Sequence, residues 1–396
     1  MKQNNHFPAG FTRRQTVLAM LSAVGLSACG GGGDDMAGVG VGGTGSFTVG
    51  RVSGFGSFIV NRVRFDNSTA LVIDMDGNRV TPDQLKLGMV VAVTGSAIMV
   101  GVAGGLSTAT ATTVRYGNEL EGPVSSAESS SLVVLGQTVR VDANTILDLG
   151  NRSLSSLTLI DVVEVYGFLN PRINEIVATR IELEDDPVSQ YYIQGLVASL
   201  NETTRQFRIG TLQISYANTE VPINLADGQL VSVKLAITPN GNVWTATRVR
   251  TTDRQVDDVN QAEIEGLVTT FTDTTTFSVN GIPVNAIGAR VENGPVALNR
   301  RVEVEGRIEN GVLIAREVEI DTDDQDEFDL TGSISGLDTT NKTFVVRGVT
   351  VDYNGMVRFD DGNEAMLANG RVVEVYGTYN ALTNRIAATE IDFSTS

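Results

Sequence analysis

Internal repetition constrains this chain more than any other feature. A glycine followed by a β-prone pair opens a strand five times, at Gly50-Arg51-Val52, Gly122-Pro123-Val124, Gly195-Leu196-Val197, Gly266-Leu267-Val268 and Gly332-Ser333-Ile334. The glycines lie 72, 73, 71 and 66 residues apart. Self-similarity at a near-constant spacing marks one supersecondary unit used repeatedly. A hairpin pattern follows each opening, at Phe58–Phe65, Leu132–Val139, Phe207–Ile214, Phe277–Val284 and Phe344–Val351. Asn280-Gly281 and Arg347-Gly348 sit at two of the bends, where glycine supplies a positive φ. An alternating strand comes next: Val91–Gly95, Val163–Gly167, Val302–Gly306 and Val373–Gly377, with Val231–Leu235 as the copy that lacks the glycine. The period of two puts valine on one face and Glu or Tyr on the other. A last strand closes each unit, at Ala111–Val114, Ala178–Ile181, Ala246–Val249, Ala315–Val318 and Ala388–Ile391.

Each unit therefore has about 70 residues and five strands, and helical periodicity is almost absent. Thr81-Pro82-Asp83-Gln84-Leu85 predicts one helical turn between the third and fourth strands. Five strands with a helical turn at that point is the order of an OB barrel, with a small sandwich as the alternative. The predicted fold is all-β: five tandem OB-like small β-barrels joined by short acidic linkers. A unit of this size can carry a modest core of its own, so the barrels are expected to sit like beads on a string. The boundaries read as 1–28 for a signal peptide, 29–46 for a Gly-rich tether, then barrels over 47–117, 118–186, 187–256, 257–325 and 326–396.

The first 28 residues carry an export pattern. Lys2, Arg13 and Arg14 form a basic start with no acid, and Val17–Leu26 is an apolar run too short to span a bilayer. Leu26-Ser27-Ala28-Cys29 resembles the bacterial lipobox, which implies a diacylglyceryl group on Cys29. Gly30 after that Cys implies sorting to the outer membrane. Thr12-Arg13-Arg14-Gln15-Thr16-Val17-Leu18 also resembles a twin-arginine signal, with Thr16 where that motif prefers Phe, so the export route stays open. Gly30–Gly45 reads as a flexible tether with an r.m.s. span of roughly 20–25 Å. Its Gly40-Val41-Gly42-Gly43-Thr44-Gly45 spells a dinucleotide fingerprint without the flanking strand and helix that such a site needs.

Composition narrows the chemistry. The only His is His6 and the only Cys is Cys29, both in or beside the export segment. His-dependent triads, Cys nucleophiles, His/Cys zinc sites and disulfides lack their residues in the body. The chain has a net charge of −18. Removal of residues 1–28 leaves 26 Lys+Arg against 47 Asp+Glu, a net charge of −21. Such acidity disfavours nucleic acid and anionic lipid as partners.

Several stretches resemble a bacterial family, the domain of unknown function 5666. Gly54-Phe55-Gly56-Ser57-Phe58-Ile59-Val60-Asn61 and Leu85-Lys86-Leu87-Gly88-Met89-Val90-Val91 carry the resemblance in the first unit. Leu135-Gly136-Gln137-Thr138-Val139-Arg140-Val141 and Val163-Glu164-Val165-Tyr166-Gly167 carry it in the second. Units four and five match loosely and unit three poorly. The resemblance implies a lipoprotein or secreted protein of a Gram-negative bacterium with several such units, and brings no established activity.

Four sets of residues are candidates for function. Glu164, Glu303 and Glu374 recur at one strand position; a glycosidase needs two carboxylates facing across a cleft, but recurrence in separate units suits solvated strand residues better. Glu182, Glu184, Asp185 and Asp186, then Asp253, Asp257 and Asp258, then Asp321, Asp323, Asp324, Asp326, Glu327 and Asp329 form acidic junctions. They read as solvated spacers, with Asp321, Asp323, Asp324 and Asp326 as the best Ca2+ candidate, since Ca2+ takes six to eight oxygens. Asp74-Met75-Asp76-Gly77-Asn78 resembles the start of a Ca2+ loop but has Leu85 where a Glu is needed, so a β-turn is expected. Tyr191, Tyr192 and Trp244 in the third unit offer stacking rings for a glycan, or cap the barrel core. Ile98, Met99 and Val100 sit in a long apolar loop of the first unit and are candidate partner contacts.

The expected function is a non-catalytic, lipid-anchored cell-envelope protein whose tandem barrels act as a binding or scaffold rod. The alternatives are a Ca2+-stiffened adhesin or glycan binder, and a carboxylate-based hydrolase. Expected partners are the membrane, through Cys29, and an envelope protein or glycan. No cofactor is expected beyond Ca2+.

Overall fold

Strands with one apolar face in groups of five can bury that face by closing into a barrel. The computed structural model describes residues 43–101, 106–252, 256–322, 327–380 and 383–393. Barrel 1 consists of β1 (Gly43–Phe55), β2 (Phe58–Val60), β3 (Val63–Asp66), β4 (Val90–Gly95) and β5 (Ser107–Tyr116). β1 pairs antiparallel with β2 and β4, β2 with β3, β3 runs parallel to β5, and β5 pairs with β4. This closed order is that of the expected OB-like barrel.

The order recurs four times. Barrel 2 has β6 (Leu120–Ala127), β7 (Ser131–Val134), β8 (Gln137–Arg140), β9 (Val162–Asn170) and β10 (Glu175–Leu183). Barrel 3 has β11 (Gln190–Asn201), β12 (Gln206–Ile209), β13 (Leu212–Ser215), β14 (Leu230–Ala236) and β15 (Val243–Thr251). Barrel 4 has β16 (Val259–Asp273), β17 (Thr276–Val279), β18 (Ile282–Asn285), β19 (Arg301–Glu309) and β20 (Val312–Ile320). Barrel 5 has β21 (Glu327–Asp338), β22 (Thr343–Val346), β23 (Val349–Asp352), β24 (Val372–Asn380) and β25 (Arg385–Asp392). A single 3₁₀ turn precedes the fourth strand at Pro82–Gln84, as expected, and again at Leu154–Ser156 and Glu364–Met366.

The repeated glycines have a steric cause. In every barrel the ladder between strands four and five shifts by one residue, at Thr94/Gly95, Tyr166/Gly167, Lys234/Leu235, Glu305/Gly306 and Tyr376/Gly377. A Cβ on Gly306 would collide with the Ile314 carbonyl oxygen and lie 3.0 Å from Ala315 Cα. In four barrels glycine opposite a small alanine lets the two backbones close at this bulge, while barrel 3 forms it with Leu235 opposite Ala246. At the hairpin bend Asn280 and Gly281 have φ of 50° and 83°, the pair of positive values a type I′ turn needs. The Asn280 amide donates to the Glu265 carbonyl at 2.9 Å, while its oxygen accepts from the Leu267 N–H at 3.0 Å. That side chain lies over Gly266, where a Cβ would strike it.

Two sequence expectations need correction here. β1 begins at Gly43, inside the segment 29–46 read as tether; the rest of that segment lies outside the described residues. More importantly, the barrels are not separate beads. β1 runs parallel to β16 from Gly43↔Val259 to Val49↔Ile264, so barrels 1 and 4 share one continuous sheet. The far end of β1 meets β21 at Gly54↔Asp329 and Phe55↔Leu330. β6 pairs with β11 at Leu120↔Ile193, and the cores of barrels 2 and 3 form one apolar cluster. Leu87 of barrel 1 and Ile146, which opens a short strand, Ile146–Asp148, running parallel to β10, are buried in the core cluster of barrel 5. A core of about 70 residues is small, and burying outer strand faces between barrels adds apolar area at about 25 cal/mol per Å². A string of beads, and the extended rod it would make, do not fit these contacts.

Candidate functional site

Barrel 1 is ion-paired to each of the other four barrels. Arg64, on β3, reaches barrel 5, where its Nη2 donates to Asp329 at 2.9 Å and to Glu374 at 2.7 Å. Lys86, after the 3₁₀ turn, donates to Glu182 of barrel 2. Arg51, on β1, contacts Glu265 of barrel 4: its backbone N–H donates to Oε2 at 3.0 Å and its Nε lies 3.9 Å from Oε1. The polarity reverses toward barrel 3, where Asp76 accepts from Lys234 at 2.6 Å and also from Arg248.

Asp76 sits in the tight turn anticipated at Asp74–Asn78. Asp74 accepts there from the N–H groups of Asp76 at 2.9 Å and Asn78 at 2.8 Å. The turn is thus a local Asx structure that aims Asp76 outward at barrel 3.

The acidic partners share a geometry. Glu164 lies between Glu121 and Glu182 on adjacent strands. Glu303 lies between Glu265 and Glu319, and Glu374 lies between Thr331 and Asp392. These middle-strand carboxylates do point away from their own barrel core, as the period of two requires. The expectation that they face solvent is overturned, because neighbouring barrels cover them. The same correction applies to Glu182 and Asp329, read as spacer residues: both are buried within strands and ion-paired.

Like charges placed directly opposite repel, and burial makes this worse. Burial, followed by repulsion from Glu182, pushes Glu164 up to about 7. Burial and Glu184 raise Glu121 to about 7. Burial and Glu374 raise Asp329 to about 7. Glu303 is pushed well above the ordinary range by burial and then Glu265. The outer members behave differently. Burial alone would raise Glu182, but Arg180 and Lys86 more than offset it, so its carboxyl lies below its usual value. Glu265 lies low in the same way, with Arg301 and Arg51 outweighing burial.

Chemically, the barrel 2 and barrel 4 sets each place a carboxyl raised by burial next to one that cations hold low. That pairing can relay a proton, but Glu265 and Glu182 are clamped by two cations each and are not presented to a substrate. The cavity beside Glu303 measures about 270 Å³, below the roughly 300–1,000 Å³ usual for a small-molecule site.

The sequence-predicted sites fare unevenly. Cys29, Asp323, Asp324 and Asp326 lie outside the described residues. Asp321 ends near Arg301, 3.1 Å from its Nε, and among the described residues no group of three His, Cys, Asp or Glu is placed to hold a metal ion. Tyr191 and Trp244 meet edge to face at 5.8 Å and pack against the core of barrel 3, while Tyr192 turns to the opposite face beside Glu121, so the three rings do not form one platform. Ile98 is buried in barrel 1, and Gln261 of barrel 4 brackets it, accepting from its N–H at 2.7 Å and donating to its carbonyl at 3.2 Å. It is therefore taken up within the chain, whereas Met99 and Val100 are exposed.

Sequence reasoning missed the pairing of Arg51, Arg64, Lys86 and Asp76 with other barrels. One signal was available. Residues 47–117 carry six Lys/Arg, four Asp and no Glu, a local charge of +2 in a chain of −18, and residues 187–256, with six Lys/Arg against four Asp/Glu, carry the same.

The family described as Domain of unknown function (DUF5666) matches residues 121–182, 186–250, 265–319 and 331–392, more than half of the chain. The chain belongs to the DUF5666 family. Its four matched repeats are barrels 2 to 5. Barrel 1 lies outside the match, although Gly54–Asn61 and Leu85–Val91 in it, like the stretches of barrel 2, read as a good resemblance, and barrel 3, read as the poorest, lies inside it. The DUF5666 repeats thus surround a first barrel of the same strand order, which is more basic than barrels 2, 4 and 5 and matches barrel 3 in net charge. No curated protein matches the chain. Among solved structures, one titled "drosophila Unr CSD456" aligns at 13% identity over 53% of this chain and 98% of that one. Its TM-score of 0.14 is too low to carry weight.

Proposed function

We propose that this DUF5666 protein is a non-catalytic, lipid-anchored scaffold of the Gram-negative cell envelope, with Cys29 bearing the lipid and barrel 1 gathering four family repeats into one binding body. The observation that carries the reading is the use made of the charged side chains. The recurrent carboxylates Glu164, Glu303 and Glu374 are the residues a hydrolase would need, and each sits in a largely covered joint between barrels or at its edge, beside carboxylates clamped by cations or, for Glu374, clamped by Arg64 itself. Leu26-Ser27-Ala28-Cys29 supports the anchor, and Gly30 supports outer-membrane sorting.

The test is expression of the full chain in a Gram-negative host fed labelled palmitate. The reading expects label in the wild-type protein, none in Cys29→Ala, and recovery with outer-membrane vesicles. An unlabelled, freely soluble wild-type protein overturns the anchor. Specific turnover by the purified protein, abolished by Glu303→Gln, overturns the non-catalytic part.

A further inference from the structure

Barrels 1 and 4 share a sheet whose outer surface on the barrel 4 side carries two rows of glutamates. Glu265, Glu303 and Glu319 stand opposite one another across β16, β19 and β20. Glu263, Glu305 and Glu317 form the neighbouring row. Six carboxylates in register on three adjacent strands cannot all ionise once covered, because each faces a like charge.

The available donors are unevenly placed. Arg51 and Arg301 converge on Glu265, and Arg301 also reaches Asp321 at 3.1 Å. Arg290 serves Glu317 at 2.5 Å, Arg316 serves Glu305, and the Asn293 amide donates to Glu319 at 3.0 Å. From barrel 1, Arg62 lines the same small cavity as Glu303, and from barrel 5 so does Glu327. Glu263 stands opposite Thr48 of β1, and the buried Glu263 Oε2 and Thr48 Oγ1 have no hydrogen-bond partner among the described residues. Of the six carboxylates, Glu263 and Glu303 are thus the two with no ion pair or amide hydrogen bond among the described residues, and Arg316, paired with Glu305, acts on Glu263 only through its field.

We propose that the joint between barrels 1 and 4 is a proton-dependent latch, closed while Glu263 and Glu303 each carry a proton and released as those protons leave. Burial and Glu305, only partly offset by Arg316, hold Glu263 at about 8, and burial with Glu265 and Glu263 holds Glu303 high, which agrees with the geometry. The sign follows from linkage. The closed joint binds more protons than the opened one, whose hydrated carboxyls return toward their usual values. Raising the pH therefore favours opening, by tenfold per pH unit for each proton lost.

The experiment is amide hydrogen exchange of the full chain between about pH 6 and about pH 9, corrected for intrinsic exchange. The reporting amides are those of the β1–β16 ladder, Ser46–Val49 with Gln261–Ile264, and the internal control is the β4–β5 ladder. The latch predicts opening of the joint that rises between tenfold and hundredfold per pH unit, with a flat control. Glu263→Gln or Glu303→Gln lowers that slope, and the double variant abolishes it with the joint closed. Should the double variant fail to fold, Glu319→Gln serves: removing that neighbouring charge eases ionisation of Glu303 within the closed joint and makes the slope shallower. Exchange at the joint that stays flat with pH in the wild-type chain overturns the latch, and so does an undiminished slope in the Gln variants.

Discussion

Arg64 and Glu374 are 310 residues apart in sequence and 2.7 Å apart in space. The first barrel and the last are joined by this contact, and the same guanidinium holds Asp329 at 2.9 Å. One cation therefore neutralises two carboxylates that would otherwise repel each other in a mostly covered joint.

Arg64→Ala should consequently cost more than an ordinary surface ion pair. It leaves Asp329 and Glu374 facing each other without a cation. Because Arg64 is about one-third exposed, a destabilisation of about 2–3 kcal/mol is expected, at or just below the range for breaking a buried pair. Calorimetry of the full chain should show the transition of barrel 5 moving to lower temperature. A double-mutant cycle with Glu374→Gln should recover coupling of at least about 1 kcal/mol, and strict additivity would remove the claim.

The link from barrel 1 to barrel 3 should respond to acid. Burial alone would raise Asp76, but hydrogen bonds from Lys234 and Arg248 more than offset it, so its carboxyl lies below the usual aspartate value of 3.8. Its contribution is present above that usual value and is lost as pH falls through the lowered one. Asp76→Asn should cost about 1 kcal/mol at neutral pH, given the partial exposure of the three side chains. That cost should vanish at about pH 2, measured by urea unfolding; a cost independent of pH would exclude the ionic origin.

Barrel 2 should respond in the opposite direction. Glu121 and Glu164 both lie at about 7, raised by burial first and carboxylate neighbours second. Raised carboxyls bind their protons more tightly when folded, so they cost stability progressively as pH rises from about 4.5 to about 7. Glu164→Gln keeps an oxygen that can accept from the Asn118 amide, now 2.7 Å from Glu164 Oε1. The variant should melt higher than wild type at about pH 8 and level with it at about pH 4.5. A variant that melts lower at both pH values would mean that the hydrogen bonding of the acid outweighs its charge.

The bulge glycines should tolerate no side chain. A Cβ at Gly167 would meet the Val177 carbonyl oxygen and lie 2.9 Å from Ala178 Cα. Gly167→Ala should cost about 1–3 kcal/mol through overpacking and displaced backbone. Gly355, where an added Cβ would have nothing within 4 Å, is the control, and Gly355→Ala should stay within about 0.5 kcal/mol. Equal effects at the two sites, measured by urea unfolding, would show that the close approach is not what selects glycine.

Much of each barrel is written locally. Valine alternation, the Asn280-Gly281 bend and the glycine–alanine bulge act between residues close in sequence or in one ladder, so spacing alone exposes them. The helical turn at Pro82–Gln84 follows from a proline at its start and two strands to connect. What spacing could not reveal is what covers an outward-facing residue. Glu374 reads as a solvent-facing strand carboxylate, and only the arrival of Arg64 from another barrel makes it part of a joint. The +2 charge of residues 47–117, shared with residues 187–256, set those two stretches apart from the acidic barrels 2, 4 and 5, but did not show which neighbour each cation would meet. Five closed barrels follow from the order of the amino acids alone, because strand period and turn chemistry are short-range. Their packing around the first barrel is settled only in three dimensions, because the pairing of outer faces depends on register between segments hundreds of residues apart.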